Sequence, residues 1–163
     1  MTNVDIAMGL LLKKLDIRMD SLDDRIIAQK KFYLLQEMGT GLGFSYNWYV
    51  HGPYSPELTK YIYDFGDPES KQDLSVHRLT EKAIHDCNII NGIATDDRLD
   101  LDPKEKYELL ASILFWVRNI IPRSDNIESV INKVRSHKPR FSFETCQNAY
   151  NLLVEDGILK HEG

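Results

Sequence analysis

The sequence has little cysteine and no long apolar run. Its two cysteines, Cys87 and Cys146, are too few for a disulfide framework or for a zinc site with four thiolate ligands. No uncharged apolar stretch approaches the roughly 20 residues that a membrane helix requires. The N-terminus also lacks the pattern of a secretory signal peptide. These absences predict a cytoplasmic protein that works without a metal or other cofactor and without a membrane.

The familiar signatures of catalysis are missing as well. The sequence contains no G-x-S-x-G motif, no P-loop and no dinucleotide-binding glycine motif after a predicted strand. His85, Asp86 and Cys87 are adjacent, but neighbours on a helix point in different directions. Cys87 falls on an apolar stripe with Ile84 and Ile90, which predicts a buried structural thiol. We therefore expect a protein that is not an enzyme.

Length and composition indicate an ordinary globular domain. The chain has 163 residues, of which 42% are hydrophobic and 28% are charged. Strong helix-start signals occur at Ser21, Ser55, Asp102 and Ser142. Alternation over 44–50 predicts an aromatic strand. The sequence thus predicts a mainly α (α+β) fold, with six or seven helices around a small β element, in one domain covering 1–163. A subdivision into 1–95 and 102–163 is the alternative.

Apolar spacing assigns a buried face to most of these helices. In the second helix, Leu34 and Leu35 are predicted to be buried, while Gln29 and Lys30 are predicted to lie off that face. The segment 67–79 is predicted to be an exposed polar loop with a short extended piece near 74–76. Later in the chain, Pro122 is predicted to end one helix, which has Ile121 in its core stripe, and Asp125 to cap the next.

The charge is unevenly distributed. The net charge is −5, and the stretch 67–102 alone contains 4 basic and 9 acidic residues. The stretch 118–140 contains six bases, Arg123 among them, against two acids, a local charge of +4. A basic patch on an acidic protein is a compositional indication of nucleic-acid binding, although a solvated helix and turn explains it as well. The acidic stretch is expected to increase solubility or to contact a basic protein partner.

Two helices predicted near the C-terminal end of the sequence resemble a helix-turn-helix followed by the start of a winged-helix strand. In this alternative, Arg135, Lys138 and Arg140 would contact phosphates, and Gln147 and Asn148 would face the major groove. The polar face of the second helix has no lysine or arginine, which a DNA-reading surface needs. We therefore expect this pair to serve packing or a protein partner, with DNA binding as the alternative.

The first half of the sequence resembles a known family. The order is a lysine-led helix (Lys30-Lys-Phe-Tyr-Leu-Leu-Gln36), a glycine turn, the aromatic strand Tyr46-Asn-Trp-Tyr-Val-His51, and then Gly52-Pro-Tyr-Ser-Pro-Glu-Leu58. This order and spacing resemble the Panacea (SocA-like) antitoxin domains of bacteria and phages, over about 25–65. The resemblance implies a compact, mostly helical, non-catalytic domain that binds a partner protein or serves as a proteolytic adaptor.

The aromatic strand supplies the candidate binding residues. Asn47, Tyr49 and His51 alternate along it, and Tyr54 follows in the predicted turn. Tyrosine on a rigid strand and turn is a good interface anchor, although core packing is the alternative and is favoured for Tyr46 and Trp48. We therefore predict a protein-binding regulatory module, antitoxin-like or adaptor-like, with a toxin-like or defence-system partner. Self-association into a homo-oligomer is a further alternative.

Overall fold

The computed structural model describes residues 1–119 and 126–159. Within these ranges the chain forms seven α-helices and one two-stranded antiparallel sheet, so the predicted mainly α fold is confirmed. The helices are α1 (Asn3–Lys14), α2 (Leu22–Glu37), α3 (Pro56–Phe65), α4 (Glu81–Gly92), α5 (Pro103–Asn119), α6 (Ile127–His137) and α7 (Phe143–Glu155). The strands are β1 (Asn47–Tyr49) and β2 (Gly52–Tyr54), which precede α3. Short 3-10 helices span Pro68–Ser70, Gln72–Val76 and Ile93–Thr95.

Most helices begin where a side chain satisfies a free backbone N–H group. Ser21 and Asp24 form a reciprocal capping box at the start of α2. Ser55 caps α3, and Pro56 occupies the first turn, where a missing N–H costs nothing. The Oδ1 atom of Asp102 accepts from the N–H of Glu105, and Ser142 caps α7. These predicted starts are confirmed, and Asn126 caps α6.

Helix α5 lies at the centre of the fold. It packs against α2, the hairpin, α6 and α7, and eleven consecutive residues, 106–116, are buried. A helix at the protein surface has an apolar stripe on one face only, whereas this part of α5 is covered on every side by other elements. Its buried set therefore includes the polar Lys106, Glu108 and Ser112. Buried residues from all seven helices belong to one hydrophobic cluster.

Several local predictions are wrong. Gln29 and Lys30 are buried on α2, and the Gly-Pro segment predicted as a turn is strand β2. The extended piece near 74–76 is a 3-10 helix that buries Leu74. Ile84 is 37% exposed, although Cys87 beneath it is fully buried as predicted. The predictions for Ile121, Pro122, Arg123 and Asp125 concern residues outside the described ranges.

The pair α6 and α7 is joined by a short turn and packs together against α5. The described chain after α7 is a turn that buries Ile158 and Leu159, and the described ranges contain no strand besides β1 and β2. The resemblance of this pair to a helix-turn-helix stays a prediction.

Candidate functional site

The β-hairpin lies directly on the central helix. Tyr49 pairs with Gly52 across a two-residue connection, and Asn47 pairs with Tyr54. Gly52 has φ +98°, and a Cβ atom there would lie 2.7 Å from the Ser112 hydroxyl oxygen on α5. Glycine is therefore required both for the backbone conformation and for the close approach. The inner side chain of β1, Trp48, packs its ring against Trp116 of α5, with ring centroids 5.6 Å apart.

The outer side of the hairpin is apolar and exposed. Val50 at the tip is 84% exposed, and Tyr49 is 45% exposed. Tyr49 and Tyr54 stack edge to face with ring centroids 5.2 Å apart, which fixes both rings relative to the strands. Leu22 of α2 and Tyr63 of α3 are also more than half exposed. The hairpin, α2 and α3 thus surround one apolar surface.

A groove of about 400 Å³ runs between these three elements. We call it the hairpin groove. Its apolar lining is Leu22, Ile26, Tyr49, Val50, Tyr54 and Tyr63. Its polar lining is Arg25, Gln29, Lys30, His51 and Thr59. A concave apolar surface with a few polar side chains is typical of a binding site.

Lys30 lies in this groove as a buried amine. The side chain is 1% exposed, and its Nζ atom donates a hydrogen bond to the carbonyl oxygen of Pro53 at 2.7 Å. It forms no ion pair with a described carboxylate. Burial lowers the pKa of Lys30 to about 7, and the charge of nearby Lys138 acts in the same direction.

The neighbouring Gln29 connects α2 to the start of α3. Its amide nitrogen donates to the Ser55 carbonyl at 2.9 Å and to the Thr59 hydroxyl at 2.6 Å. Its amide oxygen accepts from the Ser55 N–H at 2.9 Å. These buried bonds satisfy the polar groups of the segment that follows the hairpin, so they hold one wall of the groove in place.

A second polar cluster lies beneath the hairpin tip. Glu108 of α5 is fully buried, and its carboxylate is 3.0 Å from Nδ1 of His51 and 3.3 Å from Nζ of Lys138. Arg140 also donates to Glu108. Lys138 donates in addition to the Val50 carbonyl at 2.8 Å, and burial lowers its pKa. We call Glu108, His51, Lys138 and Arg140 the Glu108 cluster.

The structure brings three of the four predicted partner-binding residues together. Tyr49, His51 and Tyr54 line the hairpin groove, while Asn47 is exposed at the far end of β1 and does not line it. His51 lies in the connection between the strands rather than on the predicted strand face. Leu22, Val50 and Tyr63 also line the groove, and no local sequence signal marks them because long-range packing brings them together. Lys30 is the first lysine of the helix in the family resemblance, and this position was the sequence feature that pointed to it.

The residues predicted to contact DNA are placed less favourably. Lys138 is 2% exposed, so the prediction of a surface cation there is wrong. Arg140 is bonded to Glu105 and Glu108, and Arg135 donates to the Phe141 carbonyl at 2.9 Å. Gln147 and Asn148 are exposed on α7. Two of these cations, Lys138 and Arg140, are therefore paired with carboxylates of α5.

The two thiols and the segment His85 to Cys87 form no nucleophile and base pair, and the described residues hold no cluster of metal ligands. Cys87 and Cys146 are buried, and burial raises the pKa of each thiol to about 11. Asp86 is bonded to Lys82 and Thr40 rather than to His85, which is exposed. No group of three or more potential metal ligands occurs in 1–119 and 126–159. None of the helices described there is long and apolar enough to cross a membrane.

Comparisons with known proteins do not assign a family. No family model matches the chain, and the searches of curated proteins and of solved structures give no match either.

Proposed function

We propose that this protein is a non-catalytic protein-binding module whose hairpin groove contacts a partner protein. One observation carries the proposal. Eight large hydrophobic side chains are exposed among the described residues, and four of them (Leu22, Tyr49, Val50 and Tyr63) surround this groove. Scattered exposed hydrophobic residues are ordinary, but a cluster at a concave surface is typical of an interaction site.

The groove is also preorganised. Its hairpin wall is fixed on α5 by the close approach of Gly52 to Ser112 and by the bonds from the Glu108 cluster to the tip. Its other wall is fixed by Gln29. A rigid surface loses less conformational entropy when it binds, so more of the contact energy appears as affinity.

The class of partner follows from the resemblance of 25–65 to the Panacea antitoxin domains. This resemblance supports an antitoxin-like or adaptor-like module of a bacterial or phage regulatory or conflict system, acting in the cytoplasm by stoichiometric contact. DNA binding through α6 and α7 has less support, because Lys138 is buried and Arg140 is paired with carboxylates.

Affinity purification from the native host tests the proposal. The tagged full chain is expected to recover one partner in a fixed ratio, and that partner is then identified and purified. The combination Tyr49→Ala and Tyr63→Ala is expected to weaken binding of the purified partner by about 30-fold or more, the effect of losing an aromatic anchor.

The matched control is Val4→Ala with Val76→Ala, two exposed apolar residues outside the groove. This control is expected to bind the partner like the wild type. Repeated recovery of the protein alone would overturn the proposal. Equal loss of affinity in the groove variant and the control would overturn it as well.

A further inference from the structure

The hairpin groove has an unusual charge for this protein. The chain has 25 acidic and 20 basic residues, yet no aspartate or glutamate lines the groove, whereas Arg25, Lys30 and His51 do. Burial and nearby cations lower the pKa of His51, so Arg25 and Lys30 are the basic groups that set the charge of the groove. An apolar surface that holds these basic groups and no acid is complementary to an apolar ligand with negative charge.

Arg25 is the cation best placed to meet such a ligand. Its half-buried side chain forms no hydrogen bond or ion pair with a described residue. The contrast with Arg98 is clear, because that guanidinium is bonded to Asp96, Glu155 and Asp156. A guanidinium at the edge of an apolar groove, without a carboxylate partner, has its bidentate donor geometry available.

Lys30 strengthens the same preference from within the groove. Its amine is bonded to one neutral carbonyl, that of Pro53, so no carboxylate neutralises it. Because Lys30 is buried, water screens its charge less than it would at the surface. A carboxylate that enters the groove therefore meets the Arg25 guanidinium in a partly apolar environment, and its negative charge favours the protonated form of Lys30, whose pKa is about 7.

We propose that the hairpin groove binds a short apolar segment of the partner protein that carries a carboxylate, and that Arg25 binds this carboxylate. The inference rests on the proposed function and specifies the chemistry of the partner. A peptide segment fits better than a small acid, because the exposed Val50, Tyr49 and Tyr63 extend the apolar surface along the rim. A chain that continues past the groove covers this rim, whereas a small molecule leaves it in water.

Selection from a library of synthetic heptapeptides, acetylated and amidated at their ends, tests the proposal with the purified full chain. We expect the selected peptides to contain an aspartate or glutamate among apolar residues. Replacing that acid by its amide in the best peptide is expected to weaken binding to the wild type about tenfold, since charge-assisted hydrogen bonds are the stronger ones. The Arg25→Gln variant is expected to bind the acidic peptide and its amide equally weakly.

Arg78→Gln is the matched control, because Arg78 is exposed and lies outside the hairpin groove. It is expected to distinguish the acid from the amide as the wild type does. Selected peptides without acidic residues, or equal loss in the two arginine variants, would overturn the inference. Tighter binding of sodium decanoate than of any peptide would assign the groove to small amphipathic acids and would overturn it too.

The natural partner separates this inference from the proposed function. If Tyr49→Ala with Tyr63→Ala abolishes partner binding while Arg25→Gln leaves it unchanged, the groove is a protein-binding site. The inference that Arg25 binds a carboxylate of the partner is then wrong. If the tyrosine variant binds normally, the proposed function itself fails.

Discussion

The Nζ atom of Lys138 lies 3.3 Å from the carboxylate of Glu108, and the two side chains are 3% and 0% exposed. Lys138 follows α6, whereas Glu108 lies in the second turn of α5, so the ion pair joins two separate segments inside the protein. Through its bond to the Val50 carbonyl, Lys138 also connects this pair to the tip of the hairpin. The position of the candidate site therefore depends on a buried charge pair.

Glu108→Gln is expected to lower the free energy of unfolding by roughly 3 kcal/mol, because it leaves the buried Lys138 without its counter-charge. Adding Lys138→Met is expected to restore part of this loss, since the double variant has neither buried charge. Urea denaturation of the single and double variants measures both effects. Glu144→Gln, at an exposed position on α7, is the control and is expected to change stability by less than about 0.5 kcal/mol. Additive effects of the two substitutions in the double variant would contradict the coupling.

Lys30→Met is expected to stabilise the protein, and more so at low pH. The pKa of Lys30 is about 7 in the folded protein and near 10.5 in the unfolded chain. At pH values between about 7 and 10.5 the unfolded state binds more protons than the folded state, so the wild type becomes more stable as the pH rises. Below about pH 7 Lys30 is protonated in both states, and the full cost of burying its charge is present. The stability advantage of Lys30→Met is therefore expected to shrink by roughly 2 kcal/mol between about pH 6 and pH 9.

Denaturant titrations at the two pH values measure this difference. Lys60→Met is the control, because Lys60 is exposed and its bond to Asp64 raises its pKa, which keeps it charged throughout this range. Its stability difference from the wild type is expected to be the same at both pH values. If the stability difference between Lys30→Met and the wild type is the same at both pH values, the pKa of Lys30 is not lowered in the folded protein.

The sequence predicts the beginnings of helices well because the signals are local. Ser21 and Asp24, or Ser55 and Pro56, satisfy backbone groups within one turn, so the residues themselves determine where the helix starts. The burial of Lys30 has no such local signal. It depends on the hairpin packing across α2 and α5, and charged side chains are usually exposed unless they are paired. The candidate tyrosines were predicted, but their groove was not, because α2 and α3 provide its other walls.

The predicted DNA contacts also depend on packing between segments that are distant in the sequence. A count of basic residues over 118–140 treats each one as available to phosphate. Glu108 lies outside that stretch, yet it pairs with two of its cations, Lys138 and Arg140. Charge counted along the sequence therefore overestimated the free charge on the folded surface.

We accordingly expect the protein to leave a duplex of about 30 base pairs unbound at low salt, since phosphate binding needs cations that can replace counterions. Electrophoretic mobility measurements with genomic and random duplexes test this expectation. A retarded complex whose affinity falls with salt, and which is lost in Arg135→Ala with Arg140→Ala, would instead favour the DNA-binding alternative. Gln147→Ala and Asn148→Ala would then show whether α7 reads bases.

Gly52→Ala is expected to damage the hairpin and the hairpin groove together. The new methyl group would lie 2.7 Å from the Ser112 hydroxyl, in a backbone conformation with φ +98° that alanine rarely adopts. We expect a loss of roughly 2 kcal/mol in the free energy of unfolding, since both strain and overpacking contribute. Gly92→Ala is the control, because nothing lies within 4 Å of a Cβ atom there. It is expected to be neutral or slightly stabilising. If Gly52→Ala matches that control in stability and in partner binding, the hairpin does not depend on its close approach to α5.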